Sequence, residues 1–330
     1  MILASIRSAR KELAFDGELV IVHPSRDSIA ILPQPEWGCL LETLSFWGER
    51  EPKLRDIDTQ VRAGTWKEMR PVADVSFLAP LPRTWAFLDG SAFIEHVKLV
   101  RKARGAELPD DLFTIPLMYQ GASDNLLSPT EDLPLIDQAH GMDFESEVAV
   151  ITDAVPMGTP AAQASSHVKL LVLLNDVSLR ELIPRELGTG FGFFHGKPPS
   201  SLAPFALTPD ELGGAWHDGR VHVPLETWLN GSRFGFPDAG LMHFSFFQLI
   251  EHAAKTRPLS PGTIIGSGTV SNEDASVGAS CLVEQRMREK IESGSIKTQY
   301  LRDGDAISIK MIQNGVNVFG SIEHRVRQVR

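Results

Sequence analysis

Asp143-Phe144-Glu145-Ser146-Glu147-Val148-Ala149-Val150-Ile151 is the stretch on which the fold turns. Acidic and apolar residues alternate along it, as in a strand with one polar face. Side chains on a strand point to opposite faces at successive positions, so Asp143, Glu145 and Glu147 share a face. Three like charges side by side repel unless water or a cation neutralises them. The stretch is therefore either a solvent-facing sheet edge or one wall of a cation site. Residues 169–174 form an apolar run suited to a buried strand, closed by Asn175-Asp176, and strand ends are where function gathers. Arg180 comes four residues after Asp176, so both side chains reach one place if the turn between them is helical, as a site pair or a structural ion pair.

Working outward, residues 18–22, 28–32, 262–270, 306–312 and 316–322 read as strands, with turn signals at Asp303-Gly304 and Asn314-Gly315. Helical spacing marks residues 37–48, 91–104 (through Phe93, Val97 and Val100) and 241–254. Strands outnumber helices and keep no strict strand-helix-strand rhythm. That predicts an α+β, mostly β chain and argues against a doubly wound sheet. A Pro-rich stretch from Pro71 to Pro82 places a boundary near residue 75. Residues 1–75 form a small structural domain on this reading and residues 76–330 carry the chemistry.

The composition excludes several classes. With 42% hydrophobic and 22% charged residues the chain has the make-up of an ordinary globular protein. A formal charge of -10 and no basic block argue against nucleic acid; Lys98, Arg101, Lys102 and Arg104 have the spacing of a solvated helix face. Two cysteines, Cys39 and Cys281, fit a reduced cytoplasmic setting. No run approaches the roughly 20 apolar residues of a membrane span, and the first residues do not read as an export signal.

Hard oxygen donors without cysteine suit Mg²⁺, Ca²⁺ or Mn²⁺ and not Zn²⁺. His96, seven residues after Asp89, is by itself a weak signal, since many such pairs are simply surface residues. The segment Gly188-Thr-Gly-Phe-Gly-Phe-Phe-His-Gly-Lys197 has the wrong spacing for a phosphate loop, with Pro198 where Ser or Thr would hold Mg²⁺. It is either a flexible aromatic loop that delivers Lys197 to a pocket or an ordinary mobile loop.

Taken in order, Asp89 with His96, Met118-Tyr-Gln-Gly-Ala-Ser123, Phe144-Glu-Ser-Glu147, Leu174-Asn-Asp-Val-Ser178, Gly196-Lys197 and Gly266-Ser-Gly-Thr269 resemble the fumarylacetoacetate hydrolase family, from about Trp85 onward. The resemblance implies a mixed β-roll C-terminal domain, a small β-barrel-like N-terminal domain and a homodimer. It implies metal ligands at Asp89, Glu145, Glu147 and Asp176, which passes over Asp143. His96 becomes the catalytic base, Glu284 the acid that orients it, and Arg180 and Lys197 the cations that stabilise an oxyanion. Tyr119 and Thr269 fall at substrate-touching positions. The namesake enzyme's tyrosine two residues after the first ligand is Ser91 here; its glutamine after the arginine is Ile183, and a second tyrosine is Leu187. The implied reaction is hydrolysis of a C–C bond in a 1,3-dicarbonyl acid, with fumarylacetoacetate as the leading substrate and Mg²⁺ as the leading cofactor. Acylpyruvate hydrolysis, tautomerisation or decarboxylation on the same fold, and cation binding without turnover, are the rival readings.

Overall fold

Residues 170–174 are apolar because the strand they belong to, Val168–Asn175, is buried on both faces there, at the middle of the molecule. It pairs antiparallel with Ser146–Thr152, and the register sets Leu174 opposite Glu147 and Asn175 opposite Ser146. That pairing brings the end of one strand, where Asp176 follows, beside the start of the other. In a computed structural model describing residues 1–104, 107–108 and 110–329, these two strands sit inside an eleven-stranded sheet. On one side the sheet continues through Ile264–Gly266, Phe87–Gly90 and Met118–Gly121; on the other through Ala206–Leu207, Ile2–Ile6, Glu18–Val22, Ser28–Ile31 and Met69–Pro71. Ile264–Gly266 runs parallel to Phe87–Gly90 and antiparallel to Ser146–Thr152, so Gly266 lies next to both Asp89 and Ala149.

A six-stranded sheet built on Leu225–Leu229, Ala306–Gln313 and Ile322–Gln328 packs nearby, tied to the first by Thr227 Oγ1 donating to Ser146 Oγ at 2.7 Å. The architecture is α+β and mostly sheet, as the strand count predicts. Asn314 and Gly315 take φ of 51° and 79°, the left-handed pair a two-residue hairpin needs, and Gln313 pairs with Val316 across them.

Three local expectations shift. The acidic stretch is not one strand: Met142–Asp143 pairs with Ser178–Leu179, and the long strand begins only at Ser146. Between them the Glu145 N–H is taken by Asn175 Oδ1 at 3.1 Å and the Glu145 carbonyl by the Asp176 N–H at 3.0 Å. The chain changes partners there, the face-sharing rule fails, and all three acids are buried, which removes the solvent-facing edge. The helix expected at 37–48 is two helices, Leu40–Ser45 and Trp47–Arg62, broken at Phe46. The second escapes notice because its buried Leu54, Ile57 and Val61 are diluted by charges. The helix expected from 241 is Phe246–Ala253, which starts late because Ser245 and Gln248 form a capping box. Helix Ile94–Arg104 lies where expected, although the side chain of Arg104, the last of the basic group, lies outside the described residues.

Candidate active site

Sheet register places the first carboxylates. Asp89 and Glu147 flank Gly266 on neighbouring strands, and Asp176 ends the strand next to Glu147. Carboxylate oxygens of Asp89, Glu147 and Asp176 lie within 4.8 Å of one another, all buried. Glycines permit this approach. A Cβ at position 266 would stand 2.3 Å from Asp89 Oδ1 and 2.9 Å from Glu147 Oε2. The Gly268 N–H donates to Asp89 Oδ1 at 3.0 Å and to Glu147 Oε2 at 3.1 Å, with Gly268 at φ +75°.

Burial, then the charge of Asp176, pushes the Asp89 carboxyl up to about 8. Burial and the charges of Asp89 and Asp176 hold Glu147 well above its usual range. Glu147 Oε1 is buried without a hydrogen-bond partner among the described residues. The three acids thus carry more negative charge than their surroundings offset, and one oxygen is left to coordinate. All donors are hard oxygens. The set fits a divalent cation such as Mg²⁺, Ca²⁺ or Mn²⁺.

Glu145 turns to cations instead. Arg180 Nη2 donates to its Oε1 at 2.6 Å and Lys197 Nζ to its Oε2 at 2.7 Å. Burial opposes ionisation, but Arg180 and then Lys197 hold Glu145 well below the ordinary carboxylate range. Lys197 Nζ also reaches Asp176 Oδ2 at 2.5 Å and Ser178 Oγ at 2.8 Å, so it joins Glu145 to the triad. Tyr119 donates its hydroxyl to Asp176 Oδ2 at 2.6 Å, and Ser200 donates to Oδ1 at 2.7 Å.

His96 Nδ1 lies 3.3 Å from Glu284 Oε2. A carboxylate there accepts the Nδ1–H and leaves the other ring nitrogen free. Glu284 is fixed in turn by Ser271 Oγ at 3.0 Å and Arg288 Nη2 at 2.6 Å on Oε1. It stands in the first turn of helix Leu282–Ser293, whose N-cap, Cys281, supplies no side-chain bond. Asp143 caps that helix from a distant strand: its carboxylate accepts the N–H of Leu282 at 2.7 Å and of Val283 at 3.0 Å, and Arg180 Nε at 2.9 Å. One buried acid therefore holds both the arginine and the helix carrying Glu284.

Asp89, Ser91, His96, Tyr119, Glu145, Arg180, Lys197 and Thr269 all line one cavity of about 150 Å³, completed by Phe93, Ile183, Phe193 and Gly268. Thr269 Oγ1 is buried and has no hydrogen-bond partner among the described residues. Ile183 faces this space, whereas Leu187 does not line it and is 52% exposed. Ser200, Ser271 and Arg288 carry no mark of this role in the sequence. Gly268 lies within the quoted Gly266 to Thr269 motif; isolated serines give no comparable signal.

Two family descriptions cover nearly the whole chain. Fumarylacetoacetate (FAA) hydrolase C-terminal matches residues 86–327 and fumarylacetoacetase N-terminal domain 2 matches residues 1–83. The chain belongs to the fumarylacetoacetate hydrolase family. Within the family it is 23% identical to a fumarylacetoacetase of Arabidopsis thaliana over 91% of this chain and 82% of that protein. It is 26% identical to a 2,4-didehydro-3-deoxy-L-rhamnonate hydrolase of a Sphingomonas species over 67% of this chain and 80% of that one. The fold matches that of a fumarylacetoacetate hydrolase from Exiguobacterium antarcticum with a TM-score of 0.66, at 18% identity over 100% of both chains. Family members are hydrolases, isomerases and tautomerases acting on small molecules. Among the described residues no helix is long and apolar enough to cross a membrane.

Proposed function

We propose that this protein is a metal-dependent hydrolase that cleaves a C–C bond in a 1,3-dicarbonyl acid, with fumarylacetoacetate, giving fumarate and acetoacetate, as the first substrate to test. The observation that carries this reading is the meeting, in one cavity, of His96 with Arg180, Lys197 and Asp89 of the acid triad, His96 being held from behind by the buried Glu284. Cation binding alone requires neither the histidine pair nor the arginine.

Asp89, Glu147 and Asp176 would hold Mg²⁺ or a similar cation, with Glu145 as a fourth ligand that keeps its bonds to Arg180 and Lys197, and the cation would supply Lewis acidity. His96 takes a proton from water while Glu284 fixes its tautomer and balances the charge that forms. The water oxygen joins the attacked carbonyl carbon, and Arg180 and Lys197 face the negative charge that develops on that carbonyl oxygen. The C–C bond then breaks and the departing carbon takes up the proton held by His96. Tyr119, Thr269 and Ser91 lie where the substrate's remaining oxygens would sit, and the partnerless Thr269 hydroxyl supports that assignment.

The proposal extends to a cytoplasmic homodimer in which residues 1–75 act as a structural unit. The deciding experiment incubates the protein with Mg²⁺ or Mn²⁺ and a panel of fumarylacetoacetate, acylpyruvates and oxaloacetate, following loss of enol absorbance and identifying products. His96→Ala should abolish turnover and keep metal affinity, while Glu145→Ala should lose both. Turnover surviving in His96→Ala removes the general-base role.

A further inference from the structure

The segment that delivers Lys197 has little apolar anchorage. Phe191 is 97% exposed and Phe194 80%, so hydrophobic burial does little to fix their backbone. A carboxylate holds it instead. Glu186, on helix Ile183–Thr189, accepts the backbone N–H of Phe194 at 3.1 Å and of Gly196 at 3.0 Å on Oε2, and that of His195 at 2.7 Å on Oε1. Burial works against ionisation of Glu186, yet these amides keep its carboxyl below the ordinary value. Gly196 makes the approach possible, because a Cβ there would meet Ile183 Cγ1 at 2.7 Å and Glu186 Oε2 at 2.9 Å. The next peptide is also fixed, with Leu179 N–H donating to the Gly196 carbonyl at 2.8 Å.

Two cavity-lining residues flank the three anchored amides. Lys197 follows directly and reaches Glu145 and Asp176, while Phe193 precedes them and packs edge-on against Tyr119 at 5.2 Å between ring centres. We propose that Glu186 is a positioning residue of the active site: by holding the amides of residues 194–196 it sets where the Lys197 ammonium and the Phe193 ring stand over the cavity. This rests on the proposed role of Lys197 in turnover. An anion is required, because the amides use both oxygens; glutamine offers one oxygen and turns an N–H₂ toward a donor.

Glu186→Ala and Glu186→Gln test it, each measured for kcat and KM on the best substrate of the panel, for Mg²⁺ affinity by calorimetry, for thermal unfolding, and for hydrogen exchange at the amides of residues 194–196. A misplaced cation lowers kcat by about 10²-fold in the alanine variant, with a smaller loss for glutamine. KM and the unfolding temperature should stay close to wild type, because the core is untouched, and metal affinity should not fall, because the acids stay in place and lose only a competing ammonium. Exchange at the three amides should quicken about tenfold or more in both variants. Wild-type kcat in Glu186→Ala overturns the proposal, as does a raised KM with unchanged kcat, which would make the loop a binding wall only. Unchanged exchange at residues 194–196 overturns the anchoring itself. Exchange is read without substrate, so failure of the whole panel would count against the proposed reaction and leave the anchoring test standing.

Discussion

Replacing Asp143 by asparagine should destabilise the protein and slow it, although Asp143 faces neither the acid triad nor the cavity. Its carboxylate accepts three donors, the N–H groups of Leu282 and Val283 and the Arg180 Nε–H, at 2.7 to 3.0 Å. Asparagine keeps one acceptor oxygen, which at the Oδ2 position serves Val283 and Arg180, and turns its N–H₂ toward the Leu282 N–H, so that both of these facing donors lack an acceptor. Two buried donors left unpaired cost about 1–3 kcal/mol each. Burial pushes the Asp143 carboxyl up against the pull of Arg180, so removing the charge returns part of that cost and leaves about 3 kcal/mol. For 330 residues the unfolding entropy is about 0.7 kcal/mol/K, so Tm should fall by about 4 °C. Calorimetry of wild type and variant at one metal concentration checks this. Because Asp143 ties down both Arg180 and the helix that carries Glu284, kcat should fall by about 10²-fold in the same variant. A Tm within about 1 °C of wild type, with kcat within about twofold, would refute the view that one acid supports both parts.

Gly266→Ala should weaken metal binding at least about tenfold, since its Cβ would lie 2.3 Å from Asp89 Oδ1; titration calorimetry with Mg²⁺ reads this, and unchanged affinity counts against the triad as the metal site. Thr269→Val removes a buried hydroxyl that has no partner, so stability should hold or rise while KM increases about tenfold. An unchanged KM would take Thr269 out of substrate binding. The acid triad also sets a pH dependence. Asp89 titrates near 8 in the fold and near 4 in an unfolded chain, so over that window the metal-free native state holds a proton the unfolded state lacks. That contribution to stability is complete below about pH 4 and is lost as pH rises through about 8. A bound cation replaces the proton, so apparent Mg²⁺ affinity should rise by up to about tenfold per unit from pH 6 to 8, and the metal-induced rise in Tm should grow with it. A metal effect that is flat across that range argues against a protonated triad.

Much of the framework was legible from local pattern. The apolar run closed by Asn175-Asp176 read as a buried strand, because burial on both faces needs no alternation. Asn314-Gly315 read as a hairpin because two successive left-handed residues are costly for most side chains. Helix Trp47–Arg62 was not legible, since its apolar stripe is too sparse among charges.

The acids of residues 143–147 mark the limit of local reading. By itself the sequence determined that three carboxylates lie two apart and demand neutralisation, and the order of its motifs pointed to one family. Only the tertiary structure decided where each points. Asp143 caps a helix some 140 positions away in sequence, Glu145 meets Arg180 and Lys197, and Glu147 meets Asp89 across Gly266. The physical reason is the change of strand partner at Glu145. Strand periodicity is a property of neighbouring backbone units and holds only while the pairing does. Which strand, helix end or ammonium group meets each side chain is set by hydrogen bonds and charges from distant segments that the local pattern does not encode.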